Sequence, residues 1–82
     1  MYYVYILQSL RDKRTYVGYT NNFKRRFKQH NSGLVKSTKA RIPFKLILKE
    51  EFLTSSLAKK RELWWKSGVG RRNLKKIFED FL

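Results

Sequence analysis

The opening run Met1 to Ser9, MYYVYILQS, is apolar or aromatic on both of the faces that a strand's two-residue alternation defines. A strand with one face in water shows polar residues at every second place. This run shows none until Gln8, so it reads as the central strand of a sheet covered on both sides. In a chain of 82 residues, which suits one domain over 1–82, that demand leaves little sequence for anything except partner strands and the helices that cover them.

The rest of the chain meets the demand. LRDKR, residues 10–14, has no apolar pattern and reads as a hairpin connection. TYVGYT, residues 15–20, is a second strand of β-branched and aromatic residues. Thr20, Asn21 or Asn22 caps a helix starting near Phe23, with Phe23 and Phe27 four apart on its inner stripe, and Asn31–Gly33 ends it. Residues 34–43 form a basic loop closed by Pro43. FKLILKEEF is a third strand, expected to alternate Phe44, Leu46 and Leu48 on one face. Thr54–Ser56 caps a second helix running to about Ser67, which Gly68 and Gly70 are expected to break. RRNLKKIFEDFL is a third helix with Leu74, Ile77, Phe78 and Phe81 as its stripe. The order is ββαβαα: an α+β fold, a small three-stranded antiparallel-type sheet flanked by helices.

Twenty Lys and Arg against six Asp and Glu give a formal net charge of +14. Such a chain repels itself and attracts polyanions. Nucleic acid is the expected partner rather than membrane, because no helix joins a broad apolar face to a basic one. Cysteine is absent, which excludes thiolate chemistry and Cys-based zinc sites. The N-terminal run is too polar for a signal peptide and no run approaches membrane-spanning length, so the expectation is a soluble, cytoplasmic protein.

Several residues fit a reactive site better than a solvated surface. If the hairpin loop is even in length, Tyr5 and Tyr16 share a face of the sheet. Tyr2, Tyr3 and Tyr19 read as half-buried sheet residues with wet hydroxyls. Gly18, inside a strand, marks a bulge or a close approach. Arg26 and His30 lie one turn apart on the first helix, at the edge of its buried face, while Lys24, Arg25 and Lys28 turn outward. Without a site, Arg26 is one more solvated cation and His30 a residue set against the helix dipole. Glu62, one of six acids, shares a stripe with Ala58 and Trp65 beside Leu57 and Trp64. A carboxylate there needs a salt bridge or a cation, and one carboxylate completed by waters and phosphate is a common magnesium anchor.

YVY at 3–5 followed by YVG at 16–18 resembles the paired signature of the GIY-YIG nuclease superfamily. In NFKRRFKQHNSG, Arg26 falls where that family has its arginine and His30 on its histidine. In AKKRELWWKSG, Glu62 falls on its metal-binding glutamate. RIPFKLILKEEF and KSGVGRRNLKKIF are similar to the small stand-alone members labelled UvrC-like endonucleases, so the resemblance covers essentially the whole chain. Tyr3 replaces the first glycine of the family name and both isoleucines are valine, changes that keep strand character. Asn73 stands near a late asparagine of several members.

The resemblance implies an endonuclease that hydrolyses phosphodiester bonds, DNA favoured over RNA, in repair or processing, with one Mg²⁺ or Mn²⁺. Tyr16 would be the base with Tyr5 hydrogen-bonding beside it, or the reverse. Arg26 would hold the scissile phosphate, Glu62 the metal, and His30 would orient or protonate. Arg25, Lys28, Lys36, Lys39, Arg41, Lys59, Lys60, Arg71, Arg72, Lys75 and Lys76 would contact the backbone. Trp64 and Trp65 are candidates for base stacking, with at least one expected in the core. A chain this small would act as a monomer, or as a homodimer to cut two strands. The rival reading is a basic nucleic-acid-binding module with no chemistry, which the charge alone fits equally well.

Overall fold

Strand β1 (Tyr2–Ser9) lies between β2 (Thr15–Thr20) and β3 (Phe44–Phe52) in an antiparallel sheet of order β2-β1-β3. This is a computed structural model, describing residues 1–81 and side chains as far as Glu79. Phe81, placed on the third helix's apolar stripe by its spacing, lies outside the described side chains. The remaining elements are α1 (Phe23–Asn31), a 3₁₀ turn (Lys39–Arg41), α2 (Ser55–Lys66) and α3 (Gly68–Phe81). The ββαβαα order read from the sequence is the observed one, and the fold is of the α+β class.

Both faces of β1 are covered, as its composition demands. On one face Val4 and Ile6 pack with Ala58 and Trp65 of α2 and Leu74 of α3. On the other, Tyr5 and Leu7 pack with Phe44, and Phe23 and Phe27 of α1 close over them. Val4, Ile6 and Leu7 are wholly buried, and each such side chain adds roughly 1.5–3 kcal/mol of burial free energy. Asn22 caps α1 by accepting from the Arg25 amide at 3.1 Å, and Thr54 caps α2 by accepting from the Leu57 amide at 3.2 Å. Gly33, at φ +75°, takes the left-handed turn that follows α1.

The structure departs from the sequence expectation in three places. The β1–β3 register shifts between Ile6, which faces Leu48, and Leu7, which faces Leu46. The extra residue is a bulge, and it sends Leu48 to the α2/α3 face with Ile6 while Leu46 stays on the side of Leu7 and Phe44. Phe44, Leu46 and Leu48 therefore do not share a face, and Leu46 is exposed. Second, Gly68 and Gly70 do not separate two helices: α3 starts at Gly68, leaving Ser67 as the one-residue corner. A side chain on Gly70 would overlap the Trp64 carbonyl and the Trp65 backbone, so this glycine lets α3 abut the end of α2. Third, Leu57 is exposed rather than part of the buried stripe of α2. Among the described residues, no helix is long and apolar enough to cross a membrane.

Candidate active site

The β1–β2 register places Tyr5 opposite Gly18 and Leu7 opposite Tyr16. Both tyrosines thus project from the sheet face beneath α1, with ring centroids 6.3 Å apart. Tyr5 is 1% exposed, and Tyr16 is half-buried at the edge strand. A Cβ on Gly18 would stand 2.6 Å from the Tyr5 hydroxyl oxygen and 3.0 Å from the Tyr16 ring. The glycine is there because the Tyr5 ring fills the space its side chain would need.

From α1, His30 reaches into the same face. Its ring lies 4.9 Å from that of Tyr16 and 6.0 Å from that of Phe44. His30 Nε2 is 3.0 Å from the Tyr5 hydroxyl, and Nδ1 is 2.9 Å from Thr38 Oγ1. The histidine is wholly buried, deeper than the edge position its helical spacing suggests. Arg26, one turn earlier, is half-buried and donates to Gln29 Oε1 at 3.3 Å. Lys24, Arg25 and Lys28 are exposed, as expected of their outward stripe.

Burial sets the electrostatics. The Tyr5 phenol is pushed up to about 12, first by burial, with the charges of Tyr16 and Glu62 adding and the adjacent Arg26 guanidinium opposing. Burial, and then the positive charge of Arg26, hold His30 down at about 4. At neutral pH Tyr5 is therefore a neutral phenol and His30 a neutral imidazole.

Glu62 comes from α2, on the far side of the sheet, and its negative charge is the smallest of the influences that push the Tyr5 phenol up. Its side chain is 14% exposed and its Oε2 lies 3.5 Å from Lys66 Nζ, one turn on. A fork on β3 fixes the pitch of α2: Glu50 accepts from Arg61 Nε and Nη2 at 3.1 Å each and from Trp65 Nε1 at 2.8 Å. The Arg61 guanidinium also lies 4.1 Å from the Trp64 ring centroid. Trp65 is core and Trp64 packs against it, ring centroids 4.9 Å apart. Tyr16, Trp65, Lys66 and Arg71 line a hollow of about 330 Å³. It adjoins another of about 460 Å³ between Lys13 and Arg14 of the hairpin and Arg71 and Lys75 of α3.

The candidate backbone cations are scattered more widely. Lys36 and Lys39 are exposed on the loop, Lys59 and Lys60 on α2, and Arg71, Arg72, Lys75 and Lys76 on α3. Arg41 is engaged within the molecule: it pairs with Asp12 at 3.0 Å, donates to the Thr15 carbonyl at 3.3 Å and lies over the Phe44 ring. Asn73 donates to the Val69 carbonyl at 2.9 Å on the exposed side of α3. Sequence reasoning missed three residues that support the site. They are Thr38, Glu50, and Asn31, whose side chain exchanges hydrogen bonds with the Phe44 amide and carbonyl. The only available signal for Thr38 was indirect: a buried histidine needs a partner at each ring nitrogen.

Among the described residues no three His, Cys, Asp or Glu side chains gather as a ready-made metal cage. The donor set fits a hard cation that keeps most of its waters and takes one carboxylate, here the mostly buried Glu62, whose ion-pair partner Lys66 lines Tyr16's hollow.

Residues 1–76 match the family model described as the GIY-YIG catalytic domain. A UPF0213 protein of Bacillus licheniformis is 41% identical, covering 96% of this chain and 80% of the relative. Another, of Clostridium perfringens, is 40% identical over 94% of this chain and 83% of its own length. The solution NMR structure of a UPF0213 protein from Bacillus halodurans superposes with a TM-score of 0.56 at 36% identity, covering 94% of this chain and 85% of that one. A catalytic-domain match over nearly the whole chain, carried on the same small α+β fold, makes this protein a member of the GIY-YIG nuclease family.

Proposed function

We propose that the protein is a metal-dependent endonuclease hydrolysing phosphodiester bonds in nucleic acid, DNA rather than RNA. The observation that carries this reading is the meeting of Tyr5, Tyr16 and His30 on one sheet face, with Arg26 one turn before His30 on α1. A merely basic binding surface has no use for a neutral histidine buried against a tyrosine.

The roles follow from exposure and charge. Tyr16, half-buried and bordering the hollow, would act as the base toward the attacking water, entering the step as its phenolate with its own proton already released to solvent. Tyr5 does not, because a phenol held near 12 is too weak an acid to stand ready as a phenolate. Tyr5 instead orients the reacting groups from behind. Arg26 presents a planar fork to the scissile phosphate and stabilises charge that grows on it. His30, held neutral, orients Tyr5 rather than donating a proton. Glu62 would hold the divalent cation, with Lys66 poised to neutralise the carboxylate when no cation is bound. When bound, that cation supplies Lewis-acid stabilisation of phosphate and leaving oxygen. The substrate backbone would follow the two hollows toward the hairpin, where Lys13, Arg14, Arg71 and Lys75 meet phosphates. The protein would work on cytoplasmic DNA in repair or processing, as monomer or homodimer.

The test is cleavage of labelled DNA and RNA duplexes, branches and single strands with Mg²⁺, Mn²⁺ or EDTA, wild type beside Glu62→Ala, with binding measured in parallel. Metal-dependent cutting lost in Glu62→Ala while binding persists is the expected result. Tight binding without cutting on any substrate would replace this reading with that of a non-catalytic nucleic-acid-binding module.

A further inference from the structure

We propose that Thr38 is a positioning residue: by accepting a hydrogen bond from His30 Nδ1 it fixes the imidazole tautomer and so directs the Tyr5 hydroxyl proton inward, away from the substrate. This rests on the nuclease reading for its functional consequence, but the geometry behind it does not.

Tyr5, His30 and Thr38 are all essentially inaccessible to water, so their polar atoms must satisfy one another. The chain of contacts runs from the Tyr5 hydroxyl to Nε2 at 3.0 Å, from Nδ1 to Thr38 Oγ1 at 2.9 Å, and from Oγ1 to the Val35 carbonyl at 3.4 Å. A neutral imidazole has one N–H and one lone pair, so the chain can run in only one of two directions. Its two ends choose. At one end Val35 offers a carbonyl, which only accepts, so Thr38 donates there and accepts from Nδ1–H. At the other end the Tyr5 hydroxyl has His30 Nε2 as its one hydrogen-bond partner among the described residues, while Arg26, one turn before His30 on α1, can only donate. With Nε2–H, the Tyr5 oxygen would accept from His30 and its own proton would have no acceptor among these groups. With the proton on Nδ1, every group is paired: Tyr5 donates to Nε2, His30 donates to Thr38, and Thr38 donates to Val35.

The backbone holds Thr38 for this task. Its amide, and that of Lys39, donate to the Val35 carbonyl at 3.0 and 2.9 Å, closing a turn just before the 3₁₀ segment. The loop that read as a simple basic connection thus carries a buried hydroxyl to the back of the site. The consequence at the front is that the Tyr5 oxygen presents lone pairs, not a proton, on the side away from His30. The tautomer of a ring is set by the hydrogen bond its far nitrogen makes.

His30 is the only histidine in the chain, so its ring gives a single imidazole signal set by long-range ¹⁵N–¹H NMR. The measurement compares wild type, Thr38→Val, which keeps the shape and removes the hydroxyl, and Thr38→Ser, which restores it. Expected are Nδ1–H in wild type and Thr38→Ser, and loss of that preference in Thr38→Val. In the cleavage assay, Thr38→Val should lower kcat by roughly tenfold or more with KM unchanged, and Thr38→Ser should recover it. Nε2–H in the wild type, or an unchanged tautomer in Thr38→Val, overturns the proposal. Because the wild-type spectrum alone decides the direction, a variant that fails to fold does not shield it. Because the spectrum needs no substrate, an inactive protein would sink the nuclease reading and leave this one standing.

Discussion

His30 shows what a single residue tells and withholds. Its place four residues after Arg26, with Tyr5 and Tyr16 on neighbouring strands, was legible because helical and strand periodicities are local properties of sequence. Its full burial was not, since that depends on Phe44 and Thr38 arriving from a loop and strand eight and fourteen positions on. Gly18 is a similar case: strand context marks it as a close approach, but only the fold names the Tyr5 ring as what approaches. Burial of His30 has a measurable consequence. Its folded value, about 4, lies below the ordinary 6.5, so the unfolded chain takes up the proton first. Stability from the neutral ring is therefore complete above pH 6.5 and is lost as pH falls through about 4. Chemical denaturation across this range should show unfolding free energy dropping by on the order of 3 kcal/mol. His30→Gln should flatten that part of the profile; an equal slope in both proteins would place the acid sensitivity elsewhere.

At the scale of elements, the helices and strands were readable from caps and periodicity, and the places where they join were not. The β3 bulge leaves no mark in FKLILKEEF, because apolar residues at Leu46, Ile47 and Leu48 suit either face until β1 sets the register. The α2–α3 corner misleads for a related reason: glycine weakens a helix in isolation, but at Gly70 its missing side chain is what lets two helices meet. Glu62 is held in place by an element-scale device, the Glu50 fork that ties α2 to β3 through Arg61 and Trp65. Removing the carboxylate leaves an indole N–H and a guanidinium without their partner on a half-buried seam. Glu50→Ala should cost about 1–3 kcal/mol in urea unfolding. It should also lower cleavage although Glu50 touches none of the proposed reacting groups, whereas Glu51→Ala, an exposed neighbour, should do neither. Activity retained at full level in a destabilised Glu50→Ala protein would show that α2 does not need the fork to present Glu62.

For the molecule as a whole, the sequence announced a strong positive charge without saying where it acts. Ion pairing occupies some of the cations: Asp12 engages Arg41, Glu50 engages Arg61 and Glu62 engages Lys66. What remains is exposed over α1, the loop, α2 and α3, so charge alone attracts a polyanion without choosing its path. Shape chooses. The two adjoining hollows share Thr15, Arg71 and Leu74, have Tyr16 at one end and the hairpin cations at the other, and among the described residues are lined by no acid. A backbone laid there passes Tyr16, while one laid across β3 at Lys45 does not. Each phosphate neutralised on duplex DNA contributes roughly 0.9 to the slope of log affinity against log salt. Replacing Arg71 and Lys75 together by alanine should lower that slope by about 1.8 if both meet phosphates. Lys45→Ala, an exposed cation on β3 outside both hollows, should leave it unchanged. Equal losses from the two replacements would mean that the bound strand wanders over a uniformly basic surface, and that the chemistry, if present, selects its phosphate only after binding.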